Sequence, residues 1–281
     1  MYKARLYPSN LLAIFVLGSI LSTASCTSSS STREGGTPTT KTTLRGSVTI
    51  PRAQDLFEPF ILAIGPHTLV TWRNDDTITH RFTTTPDHKT FLNPQSFSFT
   101  IAAGKSIQFT FTQPGLYHYY DTVAATWNTD FSRVAARKGT PRFPLAMDAV
   151  IWVQGPVSGL PTATINHIPV SHDEFTSEFI AISSPGAASW HNFDEDPHFF
   201  GIVPNWPAPI NPVDVGLYRM AGTQDVPGGQ TVTILFNTPG LYYYYCRNHD
   251  SIDVTTKRAL PLTKASDYPL PMEGFVLVVG S

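Results

Sequence analysis

Phe236-Asn237-Thr238-Pro239-Gly240-Leu241-Tyr242-Tyr243-Tyr244-Tyr245-Cys246-Arg247-Asn248-His249 is a strand-like run that leaves a Pro-Gly turn and ends in a thiol and an imidazole. Its opening has a twin 125 residues upstream, where Phe111 and Pro114-Gly115-Leu116-Tyr117 match Phe236 and Pro239-Gly240-Leu241-Tyr242. The same offset sets Gly104 on Gly229, Met147 on Met272 and Gly155 on Gly280. Further upstream the offset is 118: Ile50-Pro51 falls on Ile168-Pro169, Phe57 on Phe175 and Ile64 on Ile182. It continues with Trp72 on Trp190, Asn74 on Asn192, His80 on His198 and Phe82 on Phe200, before seven extra residues enter the second copy. So many uncommon residues in register make an internal repeat.

Each copy reads as β-sheet. Phe97–Ile101 and Ile107–Phe111 alternate apolar and polar residues, as half-buried strands do, and Thr231–Ile234 and Phe275–Val278 belong to the same class. Pro-Gly pairs mark turns, and 24 prolines argue against long helices. The one helix-like piece is Asp130–Lys138, inside a loop. The expectation is an all-β chain of two tandem Greek-key β-sandwich domains of about 110 residues each. They span 44–155 and 162–281, joined by a linker at 156–161 within the turn-rich Gly155–Pro161.

The N-terminus reads as targeting. Lys3 and Arg5 precede an apolar run, Leu11–Leu21, that is short for a bilayer span. Thr23-Ala24-Ser25-Cys26 then resembles a lipobox, so 1–26 is expected to be a lipoprotein signal peptide with Cys26 the lipidated first residue. Secretion with cleavage nearby is the alternative. Residues 27–43 hold eleven Ser or Thr and form a solvated tether. The expected location is extracytoplasmic, at the cell envelope, with the lipid anchor on the membrane surface.

Only two cysteines exist, so Cys246 lacks an intrachain partner once Cys26 is assigned to processing. An exported lone thiol survives by metal ligation or by deep burial, and His249 three residues on favours the metal. Without Lys3 and Arg5, 17 basic side chains face 21 acidic ones, a net charge of −4 that argues against nucleic acid as a partner.

With these residues in place, the chain resembles the cupredoxin (plastocyanin-like, blue type 1 copper) family in both copies. Trp190–His198 looks like the segment supplying the first histidine ligand, and Phe236–Cys246 like the penultimate strand. Cys246-Arg247-Asn248-His249 matches the C-x-x-H ligand pair, and Pro271–Val276 the methionine entering the last strand. The resemblance implies one type 1 copper held by His198, Cys246, His249 and Met272, a donor set of two imidazoles, a thiolate and a weak thioether that suits both copper oxidation states. It departs from the family in the 22 residues between His249 and Met272, yet Asp121 to Met147 and Cys246 to Met272 both span 26 residues.

The first copy keeps His80 and Met147 but has Asp121 for the cysteine and Ala124 for the second histidine. A carboxylate is too hard to replace the thiolate, so this copy is expected to be a structural or docking domain. The alternative is a different metal centre using His80, Asp121 and His88 or His118. Tyr245 is read as packing surface, and His67, His167, His172 and His191 as solvated.

Three functions follow. The first is a tethered carrier of single electrons between redox partner proteins. The second, copper storage or delivery or a surface interaction module, needs no redox turnover. The third is an oxidase- or nitrite reductase-like enzyme. It lacks its wiring here, because Tyr245 and Arg247 flank Cys246 and no His-x-His occurs.

Overall fold

The computed structural model describes residues 44–202 and 225–280. The expected signal peptide, Cys26 and the expected tether lie outside them, as does 203–224. Residues from Thr42 onward form one compact unit.

The first half contains β1 (Arg45–Ile50), β2 (Ile61–Ile64), β3 (Thr68–Asn74), β4 (His80–Thr84), β5 (Ser98–Ile101), β6 (Ser106–Phe111), β7 (Gly115–Asp121), β8 (Ala125–Asn128), β9 (Arg133–Ala136) and β10 (Asp148–Val153). The second contains β11 (Ala163–Ile168), β12 (Phe179–Ser184), β13 (Gly186–Asn192), β14 (His198–Ile202), β15 (Asp225–Val226), β16 (Thr231–Phe236), β17 (Gly240–Cys246), β18 (Asp250–Ile252), β19 (Ala259–Pro261) and β20 (Glu273–Gly280). Strand order recurs. The first half has sheets β1-β3-β6 and β2-β10-β7-β4-β5; the second has β11-β13-β16 and β12-β20-β17-β14-β15. In each half the first and third strands pair in parallel, as do the second and last.

The two sheets of a half face each other over an aromatic core. Trp72 Nε1 donates to Tyr119 Oη at 3.2 Å, and Trp190 Nε1 to Tyr244 Oη at 3.0 Å. A Cβ on Gly274 would meet the Tyr244 ring at 2.6 Å, so only glycine lets that ring lie against β20.

Asp130–Lys138 is not helical. β8 and β9 pair as an antiparallel hairpin from Ala125↔Ala136 to Asn128↔Arg133. Ala and Lys give the segment helix propensity, but burying Val134 and Ala136 against Ala125 and Ala146 outweighs that preference.

The second face of each five-stranded sheet is also covered. Every residue of β17 is buried. Tyr242, Tyr244 and Cys246 belong to the core of their own sandwich, whereas Leu241, Tyr243 and Tyr245 join the first half's core with Phe60, Ile61 and Val150. The Tyr243 ring stacks on Phe275 at 4.7 Å, and Phe275 on Phe179 at 4.8 Å. A sheet buried on both faces loses the in-out alternation of a half-solvated one, hence four consecutive tyrosines.

Charges cross this seam reciprocally. Arg133 donates to the Glu273 and Phe175 carbonyls at 3.0 and 2.9 Å. Arg258, its equivalent 125 residues on, donates to the Ala146 carbonyl at 2.6 Å and to Asp148 at 2.7 Å, with its guanidinium over the Phe60 ring. Asp148 also holds His118 at 2.9 Å, and the equivalent pair in the second half is Glu273 with Tyr243.

Candidate metal centre

His198 opens β14, and the preceding loop is built around buried Asn192. The Asn192 amide donates to the Asp196 and Val226 carbonyls, both at 2.8 Å, and its oxygen accepts from Asp194 N at 2.8 Å. Cys246 closes β17. Its Sγ accepts from Phe199 N at 3.4 Å and lies 3.7 Å from His198 Nδ1 and 3.4 Å from His249 Nδ1. Asn248 ties the two ligand loops together by donating to the Pro197 carbonyl at 2.6 Å. Cys246 and His198 are fully buried and His249 nearly so.

Met272 is buried in the same core cluster as Cys246. Its carbonyl accepts from Cys246 N at 2.9 Å, and its N–H donates to Asp250 at 3.0 Å. The 22 intervening residues do not carry it away, because β18 and β19 form a hairpin and Leu262 N returns to the His249 carbonyl at 2.8 Å.

Both imidazoles have a carboxylate on the nitrogen that faces away from sulfur. His198 Nε2 lies 3.4 Å from Asp194 Oδ2, and His249 Nε2 lies 3.1 Å from Asp173 Oδ1. A proton on each Nε2 leaves the Nδ1 lone pairs on the side of Cys246. Burial is the main cause that depresses both histidine pKa values, which favours the neutral rings. Burial also pushes the Cys246 thiol up to about 12. A bound cation reverses that, holding the sulfur as thiolate. Two neutral imidazoles and a buried thiol fit a soft or borderline metal ion, copper among them.

The first half builds the same place with Asp121 and Ala124 where the second half has Cys246 and His249. Buried His80 Nδ1 meets Asp121 Oδ2 at 3.1 Å, and Nε2 meets Asp76 at 3.3 Å. Asp121 also accepts from Arg81, Val123 and Ala124 N–H groups, at 3.0, 2.6 and 3.0 Å. Burial opposes charge on His80, but the hydrogen bond and attraction of Asp121, then Asp76, raise its pKa above the ordinary value. His88 hydrogen-bonds the Asn93 carbonyl and His118 belongs to the seam, so neither joins His80. His172 is not simply solvated: its Nδ1 pairs with Asp267 at 3.0 Å. His191 pairs with Thr231 at 2.7 Å.

The residues that sequence reading passed over are the carboxylates. Asp173 and Asp194 fall on Asp55 and Asp76 at the 118 offset, and both sets gather around the first histidine of their half. The repeat itself was the available signal.

No protein-family model matches the chain, and neither does any curated protein. Among solved structures it is similar to a purple cupredoxin from Nitrosopumilus maritimus, with 20% identity, 39% of this chain and 99% of that chain covered, and a TM-score of 0.27. It is also similar to amicyanin from Paracoccus versutus, with 17% identity, 44% and 85% covered, and a TM-score of 0.26. The chain's own strand order shows an all-β architecture in which both halves carry the same pair of sheets.

Proposed function

We propose that the chain is an exported blue copper protein, tethered to the membrane by a lipid on Cys26, that carries single electrons between redox partner proteins. The observation that supports this best is Cys246 Sγ, buried with two imidazole Nδ1 atoms at 3.4 and 3.7 Å. Copper, when bound, supplies a one-electron couple between Cu(II) and Cu(I). His198, Cys246 and His249 hold it, with Met272 as the weak fourth donor. The chain's own work is to keep these donors in place in either oxidation state. The Phe199 N–H steadies the sulfur, the Nε2 carboxylates set both tautomers, and the aromatic core excludes water. No enzymatic turnover is assigned, and the first half acts as a structural domain.

Loading the purified chain with Cu(II) tests this reading. Intense blue colour, one copper per chain, reversible one-electron voltammetry and loss of colour in Cys246→Ser are expected. A colourless copper-bound protein would instead indicate storage or delivery, and two coppers would overturn the structural role of the first half.

A further inference from the structure

Both carboxylate oxygens and the N–H of Asp173 are committed. Oδ1 faces His249 Nε2 at 3.1 Å, and Oδ2 accepts from Ser266 N at 2.6 Å. Its own N–H donates to Ser266 Oγ at 3.0 Å and to Asp267 Oδ2 at 2.8 Å. Apart from His249, these partners lie in the long excursion between His249 and Met272. The carboxylate is 10% exposed and the imidazole it touches 12%. A carboxylate free to rotate would turn to water; this one is held against the ring from its far side.

We infer that Asp173 is a positioning residue for His249, and that the 250–271 excursion holds it there and biases bound copper toward Cu(II). The inference rests on the copper reading. Two physical effects act in the same direction. A carboxylate accepting from Nε2–H fixes the tautomer and makes Nδ1 a better donor, which favours the more highly charged ion. A buried negative charge beside the ligand set is weakly screened and favours the same state. Asp194, on His198 Nε2 at 3.4 Å, acts likewise at the other ligand, and its Oδ1 accepts from Ser171 N at 2.9 Å. The loop carrying Asp173 is thereby tied to the loop carrying Asp194.

The test compares the full chain with Asp173→Asn and Ser266→Ala, measuring Cu(II) and Cu(I) affinities and the reduction potential. Asp173→Asn keeps an acceptor oxygen but removes the charge. Its Cu(II)/Cu(I) affinity ratio is expected to fall at least tenfold, a rise of about 59 mV for a one-electron couple. Ser266→Ala loosens the anchor and shifts the ratio the same way by less, while Asp173→Glu restores part of the effect. An unchanged ratio in a coloured Asp173→Asn overturns the inference. A second readout needs no copper: the His249 Nε2–H should give an exchange-protected proton resonance in the metal-free chain, lost in Asp173→Ala. A wild-type chain that takes no copper sinks the copper reading alone, and absence of that resonance sinks the role of Asp173.

Discussion

His80 and Asp121 lie 3.1 Å apart at the register where His198 and Cys246 approach to 3.7 Å. The Arg81 N–H that reaches Asp121 is matched by the Phe199 N–H that reaches Cys246. The first half therefore keeps the same backbone cradle and fills it with an imidazole whose ring proton faces a carboxylate.

That proton makes stability depend on pH. The folded pKa of His80 is raised above 6.5, so its contribution is fully present below that value and is lost as pH rises through the folded pKa. Asp121, Asp76 and Asp55 are the charged groups that gather at the ring. Chemical denaturation should show stability falling as pH rises past neutrality, and Asp121→Asn should flatten that slope. Because the pair is buried, Asp121→Asn is also expected to cost about 3–5 kcal/mol at neutral pH.

Restoring the missing donors tests the equivalence of the two cradles. Asp121→Cys combined with Ala124→His, with Met147 already buried in place, should raise the copper count from one to two per chain. Metal analysis of the double variant decides this, and a count that stays at one refutes the equivalence.

Arg258 bridges the seam, and among the described residues Asp148 pairs with it and with His118. Arg258→Met strips one partner from a buried pair and should destabilise the fold by about 3–5 kcal/mol. Arg133→Met should do the same on the other side, where the buried Glu174 carboxylate lies 3.6 Å from Arg133 Nε. Urea unfolding of the two variants measures both, and losses under about 1 kcal/mol would mean that the carboxylates find replacement partners.

Tyr244→Phe leaves the Trp190 indole N–H buried without its acceptor and should cost about 1–3 kcal/mol. The copper colour should survive, because Tyr244 touches no ligand by a polar atom. Loss of colour together with stability would instead show that the metal centre depends on this bond.

Much of the architecture was legible because the chain repeats its own landmarks. Trp72 and Trp190, or the two Pro-Gly-Leu-Tyr turns, identify the strands by comparison with each other and without reference to propensity. The four proposed copper ligands came instead from the resemblance of the segments around His198, Cys246–His249 and Met272 to a known family, because the first copy carries Asp121 and Ala124 where the thiol and second imidazole stand. The Asp173–His249 contact was not legible, because it depends on how a loop from before β12 meets the β17–β18 turn and is held there by Ser266 from after β19, and no local pattern encodes that. The β8–β9 hairpin was misread since its pairing is tertiary. Tyr245 does pack, as read, but its partner in the first half was not legible, because tyrosine suits both a buried and a half-exposed surface.

The back-to-back packing of the five-stranded sheets has a consequence for truncation. A half without a thiol looks expendable, yet deleting it would strip Tyr243, Phe275 and Arg258 of their cover and leave a sticky, charged wound on the survivor. Each half shields the other, whatever chemistry it carries.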